Sequence, residues 1–241
     1  MNAEATVPEP GREPDKGLPF GPGEIADQKA LARTGAAVRE RLAADQTVYK
    51  VPVERAEIYA VADFLTPAEC DRFIAMIDAN ASPSRVLDHG YVGVFRTSYT
   101  GDVERDDPFV KMVDRRIDGL LGFDNSWGET IQGQRYHVGQ EFKAHNDWFY
   151  TGAPYWQREK EMGGQRSWTA MIYLNDVEAG GITDFINLGV TIPPQRGALL
   201  TWNNATPDGL VNNETLHAAL PVEAESKYII TKWYRTRRWG W

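Results

Sequence analysis

From residue 129 to the C-terminus the sequence breaks into short strand-like runs. These are TIQGQRYHV, EFKAHNDWF, SWTAMIYLN, VTIP, ALLTWNN and KYIITKWYR, parted by turns containing Gly, Pro or Asn. Such strands bury their apolar faces by closing on one another, and the helical patterns all precede them. Thr66-Pro67-Ala68-Glu69 places a capping Thr, a Pro at the first helical position and a Glu at the third, ahead of ECDRFIAMIDAN. Phe109, Val110, Val113, Ile117 and Leu120 recur at helical spacing, and Gly122 can close that helix. AEIYAVADFL and YVGVFRTSY read as strands. The pattern predicts an α+β domain: a double-stranded β-helix (jelly roll) with helices packed on one side from the N-terminal part. The longest polar interruption, TGAPYWQREKEMGGQR, reads as a loop over the barrel mouth.

Residues 1–22 carry Pro8, Pro10, Pro14, Pro19 and Pro22 among glycines and charges, a composition that reads as a flexible Pro/Gly-rich arm. Residues 23–48, rich in Ala, Leu, Arg and Glu, read as an N-terminal helical segment, continuous or broken near Gly35. Residues 49–241 then form the main domain, in keeping with a length of 241 residues. A net charge of −8 argues against nucleic acid as partner, and no apolar run is long enough for a membrane span. Lys232, Arg235, Arg237 and Arg238 run against that charge balance and read as a solvated strand end. The single cysteine, Cys70, excludes an internal disulfide and any multi-Cys metal site, and reads as a small packed residue. With no secretion signal in MNAEATVPEPGREPDKG, a reducing, cytoplasmic setting is expected.

The chemistry is concentrated near the histidines His89, His137, His145 and His217. His145 and Asp147 stand two apart in a strand-like run, so both aim at one face. With a distant His they could form a two-His-one-carboxylate metal triad. A surface His beside a solvated Asp explains the pair equally well, so H-x-D decides nothing alone. Further on, Lys227, Ile229, Thr231 and Trp233 share one strand face, and Tyr228, Ile230, Lys232 and Tyr234 the other. If the first set points inward, a buried ammonium demands an anionic partner. If it points outward, Lys227 is merely solvated, and periodicity does not choose.

Taken together, these spacings resemble the prolyl 4-hydroxylase-like family of iron(II)/2-oxoglutarate dioxygenases. That family carries H-x-D, a distant His, a Lys ten residues beyond it and a Trp sixteen beyond it. Here those positions are His145-Asn146-Asp147, His217, Lys227 and Trp233. A family Tyr nine residues before the first ligand corresponds to Tyr136, followed by Gly139. QRSWTAMIYLNDVEAGGITDF is similar to the family's QR-x-x-T-x-x-x-YLN-x-x-x-x-GG-x-T-x-F and places Arg166, Thr169 and Thr183. DFLTPAECDRFI and FRTSYTGDVERDDPFV also match, so the resemblance covers about residues 55–235. Two positions depart from it: Asn146, usually aromatic or Cys, and Ile186, usually Pro. Neither is a ligand position, but both put substrate identity in doubt.

The resemblance implies Fe(II) held by His145, Asp147 and His217, with 2-oxoglutarate, O2 and, as reductant, ascorbate (hence L-ascorbic acid binding). It implies that Lys227 pairs with the far carboxylate of 2-oxoglutarate, assisted by Tyr136 and Thr183. The expected reaction hydroxylates an unactivated C–H bond, with release of succinate and CO2. Trp233 is expected near the iron and Arg166 at the substrate mouth, against the alternatives of a core Trp and a surface Arg. His89 and His137 read as structural. Trp148, Tyr150, Tyr155 and Trp156 could stack on a peptide or proline ring, or pack the loop's own core. The partner is then a peptide, protein or small-molecule substrate, with a prolyl residue as the family-weighted choice. Two other classes stay open: a non-catalytic metal/2-oxoglutarate-binding sensor module, and a zinc hydrolase, in which Lys227 has no evident role.

Overall fold

The structure, a computed structural model, describes residues 23–84 and 96–240. The expected arm at 1–22, His89 and the start of the YVGVFRTSY run lie outside the described residues.

The short runs form two main sheets, beside a two-stranded pairing of Ala179–Gly180 with Val222–Ala224. The larger has eight strands, in the order Tyr49–Lys50, Ile58–Val61, Leu199–Asn203, Arg166–Tyr173, Lys227–Arg235, Gln132–Tyr136, Tyr99–Asp102 and Ala81–Pro83. The smaller has four, in the order Val190–Ile192, Thr183–Phe185, His217–Ala219 and Phe142–His145. Between the sheets, Tyr136, Met171, Tyr173, Leu200, Trp202 and Ile229 of the larger pack with Phe185 of the smaller. This is the jelly roll expected. On the other face of the larger sheet, Trp168, Ala170, Ile172, Ile230 and Tyr234 meet Phe73, Ile77, Val113 and Ile117 of two helices. The larger sheet is therefore buried on both sides. That explains why the two faces of the Lys227–Arg235 strand look alike in sequence.

The helices begin and end where their local chemistry dictates. Thr66 and Glu69 form a reciprocal capping box at the start of Pro67–Asn80. Asp107 caps Pro108–Leu121, and Gly122 closes it at φ 78°, a left-handed conformation suited to glycine. The N-terminal segment forms one helix, Gln28–Ala44, continuous through Gly35. A Cβ on Gly35 would lie 2.9 Å from Asn203 Nδ2, so the glycine permits close seating on the sheet rather than a break.

Two expectations are corrected. Lys232 and Arg235 are only 1% and 2% exposed, not solvated. The Lys232 ammonium pairs with Asp114 at 2.5 Å and Asp118 at 2.6 Å, while Arg235 pairs with Glu129 and Glu159, each at 2.6 Å. Helix Pro108–Leu121 covers that face and supplies the first two acids; only Arg237 and Arg238 remain exposed. Likewise, the polar interruption after Asp147 contains the helix Trp156–Glu161 and is tied down from the N-terminal side. Glu24 accepts from Trp156 Nε1 at 2.7 Å and Lys160 Nζ at 2.6 Å. Asp27 accepts from the Gln165 amide at 2.9 Å and Thr236 Oγ1 at 2.8 Å, and pairs with Arg237.

Candidate active site

The smaller sheet brings His145, Asp147 and His217 together. His145 and His217 are directly opposed on antiparallel strands, and Asp147 follows two residues after His145. One ligand atom from each lies within 4.8 Å of the others. His145 Nδ1 meets the Lys143 carbonyl at 2.8 Å and His217 Nδ1 meets the Thr215 carbonyl at 2.9 Å. An acceptor carbonyl fixes the proton on Nδ1 and leaves Nε2 to offer a lone pair. Burial, reinforced by His217, pushes the His145 imidazole down to about 3, so it is neutral at physiological pH. Burial acts to raise the Asp147 carboxyl, but His217, His145 and Arg166 outweigh it and hold the group below its ordinary range.

Asp147 is fixed from behind. Thr169 Oγ1 donates to its Oδ2 at 2.6 Å, and Asn204 Nδ2 donates to Thr169 Oγ1 at 2.9 Å. Oδ1 lies 3.9 Å from His145 Nε2. Two imidazole Nε2 atoms and one carboxylate form a donor set that suits Fe(II), so the residues present fit the metal.

The triad shares a cavity with the inner face of the larger sheet. The space is lined by Tyr136, Thr183, Lys227, Ile229, Thr231 and Trp233 together with the three triad residues. Lys227 points inward and is 1% exposed. Its ammonium donates to the Gly181 carbonyl at 2.6 Å and lies over the rings of Tyr136 and Tyr173, at 5.5 and 5.4 Å. No carboxylate pairs with it among the described residues, and burial pushes it down to about 7. Tyr173 donates its hydroxyl hydrogen to Thr183 Oγ1 at 2.7 Å, so the Thr183 hydroxyl keeps its own hydrogen to give.

Arg166 is placed beside the cavity and does not line it. Glu129 grips its guanidinium at 2.7 and 2.8 Å, and the same guanidinium lies 4.1 Å over the Trp233 ring. Trp156 and Tyr155 pack the loop itself: Trp156 bonds Glu24, and the Tyr155 hydroxyl accepts from the Tyr150 amide at 3.2 Å. Trp148 and Tyr150 form a tilted ring pair at 4.4 Å. His137 faces out, with Nδ1 3.0 Å from Ser226 Oγ, and Cys70 is buried in the core.

Sequence reasoning assigned no role to Arg96, Gln134, Glu129 or Tyr173. Arg96 sits 4.8 Å over Phe142, whose ring stacks on His145 at 3.7 Å. Tyr173 and Gln134 could have been found by alternation, since each shares its strand face with a residue already singled out.

Comparison with known proteins agrees with this arrangement. Residues 131–235 match the 2OG-Fe(II) oxygenase superfamily. Over 131 residues the chain is 36% identical to prolyl 4-hydroxylase subunit alpha-1 of Gallus gallus, covering 54% of this chain and 25% of that protein. The chain thus spans about a quarter of the length of the curated relatives it matches. The viral collagen prolyl hydroxylase of Paramecium Bursaria Chlorella virus-1, solved with 2OG, is 27% identical, with a TM-score of 0.56 over 73% of this chain and 94% of that one. A Pseudomonas putida prolyl-4-hydroxylase shares the fold at 21% identity and a TM-score of 0.51, over 86% of this chain and 99% of its own. Residues 131–235 thus match the 2OG-Fe(II) oxygenase superfamily, and the chain is similar to prolyl 4-hydroxylases within it.

Proposed function

We propose that this chain is an iron(II)- and 2-oxoglutarate-dependent hydroxylase that acts on an unactivated C–H bond, with release of succinate and CO2. The observation that carries the reading is the sharing of one cavity by the His145–Asp147–His217 set and an ammonium with which no acid among the described residues pairs. In this reading His145, Asp147 and His217 hold the iron. When bound, iron supplies the oxidative chemistry with O2 and the keto acid, with ascorbate as reductant. The protein's own part is orientation and exclusion of water. The Lys143 and Thr215 carbonyls hold each ring proton on Nδ1, which leaves Nε2 for the metal, and Thr169 fixes one carboxylate oxygen of Asp147. Lys227 and Thr183 hold the far carboxylate, with the Tyr136 ring as wall. Trp233, clamped under Arg166, stands at the substrate side.

A prolyl residue of a peptide or protein is the first substrate to test. Support comes from the relatives, whose names are those of prolyl hydroxylases, and from the Trp148–Tyr150 ring pair. A cytoplasmic setting belongs to the same proposal; among the described residues no helix is long and apolar enough to cross a membrane.

The test is anaerobic loading with Fe(II) and 2-oxoglutarate, followed by admission of air to proline-rich peptides and small metabolites. A product heavier by one oxygen, about 16 Da, with matching succinate is expected. Asp147→Ala should abolish both, and Lys227→Ala should weaken 2-oxoglutarate by roughly 3–5 kcal/mol. Turnover that persists without 2-oxoglutarate and with Zn(II) would replace the reading with hydrolysis.

A further inference from the structure

The cavity wall holds a polar amide, Gln134, that the mechanism leaves idle. Gln134 is the middle residue of Gln132–Tyr136, lines the cavity and is 4% exposed. The strand register pairs Tyr136 with Lys227 and Gln134 with Ile229, so Gln134 stands one step from the ammonium toward Thr231 and Trp233. Its Oε1 accepts the Tyr136 hydroxyl hydrogen at 2.7 Å. Among the described residues its Nε2 has only long contacts, 3.3 Å to Gln132 Oε1 and 3.4 Å to Thr231 Oγ1.

A primary amide carries two N–H donors, and hydrogen bonds at these lengths are weak. Burying an amide whose donors are poorly used is unfavourable by comparison with an apolar side chain of equal size. The acceptor end of this amide holds a short hydrogen bond, whereas the donor end is only weakly used beside a cavity that takes an oxygen-rich anion.

We propose that Gln134 contacts the bound keto acid: its amide N–H groups donate to an oxygen of 2-oxoglutarate, while its carbonyl turns the Tyr136 hydroxyl away from Lys227. This rests on the keto-acid reading of the cavity and adds a recognition residue to it. The consequence is selectivity by hydrogen-bond polarity. Gln134→Leu removes donor and acceptor at similar volume. Gln134→Glu keeps an acceptor for Tyr136, loses the donors and sets a negative charge against the ligand.

The experiment is calorimetric titration of the full chain, loaded with Mn(II) in the absence of air, with 2-oxoglutarate. Gln134→Leu is expected to weaken binding about tenfold. Gln134→Glu is expected to weaken it roughly a hundredfold, through added like-charge repulsion. Mn(II) affinity, measured on the same proteins, should stay at the wild-type value, which a general loosening of the fold would not leave untouched. Should Gln134→Leu fail to fold, Gln134→Met against Gln134→Glu carries the same contrast. Wild-type affinity in the apolar variant, or equal losses in both variants, would assign Gln134 to packing alone. A wild-type protein that binds Mn(II) but not 2-oxoglutarate would instead overturn the reading of the cavity, a separate result.

Discussion

Lys227 has a proton affinity set by its surroundings. Burial brings its ammonium down from 10.5 to about 7, and the Tyr136 and Tyr173 rings and the Gly181 carbonyl do not restore it. A bound carboxylate favours the charged form, so above about 7 binding must take up a proton and below it need not. Affinity for 2-oxoglutarate is therefore expected to fall as pH rises from 7 to 9, with proton uptake visible as a dependence of the binding heat on the buffer. Lys227→Arg should bind more weakly at pH 7 but with a flat profile, because guanidinium stays charged. In the free protein, the folded state binds fewer protons than the unfolded chain between about 7 and 10.5, so this group's contribution to stability grows with pH across that window. Lys227 was legible from its distance to His217 and its place on a strand face. Gln134 was not, because a glutamine in a strand carries no motif and its meaning lies in what stands opposite. Thr169 tests the support behind the metal ligands: Thr169→Val removes the 2.6 Å donor to Asp147 and should lower Mn(II) affinity by about 10–100-fold in a metal titration.

Individual elements owe their placement to contacts from both sides. The Lys227–Arg235 strand turns Lys227, Ile229, Thr231 and Trp233 to the cavity, and Ile230, Lys232 and Tyr234 to the helices. A rule that expects one wet face cannot see this, and so Lys232 and Arg235 were read as solvated. Lys232→Ala should cost about 3–5 kcal/mol in denaturant unfolding, since it strands Asp114 and Asp118 on the sheet-facing side of the covering helix. It should leave 2-oxoglutarate affinity unchanged, because the ammonium lies on the other side of the sheet. The start of Pro67–Asn80 was legible for the opposite reason: Thr66 caps through a neighbour three residues away, so the information is local. The short strands Thr183–Phe185 and His217–Ala219 were invisible as strands, because three residues carry too little alternation and their pairing partners are distant in sequence.

Across the whole molecule, the proposed metal ligands and the proposed keto-acid anchor belong to different layers. His145 and His217 lie on the smaller sheet, Asp147 just beyond its edge, and Lys227 and Tyr136 on the larger. Mn(II) and 2-oxoglutarate together should raise the melting temperature by more than the sum of their separate effects, as scanning calorimetry would show; strict additivity would mean the two are held independently. The jelly roll itself was legible from the number and spacing of strands, but the apportioning of the site between layers depends on strand order, which no local pattern encodes. That division makes the small molecules a rivet through two plates. A protease that attacks the parted layers must wait for the rivet to leave, so resistance to digestion should track the amount of keto acid present and tie the protein's lifetime to the supply of its own cosubstrate.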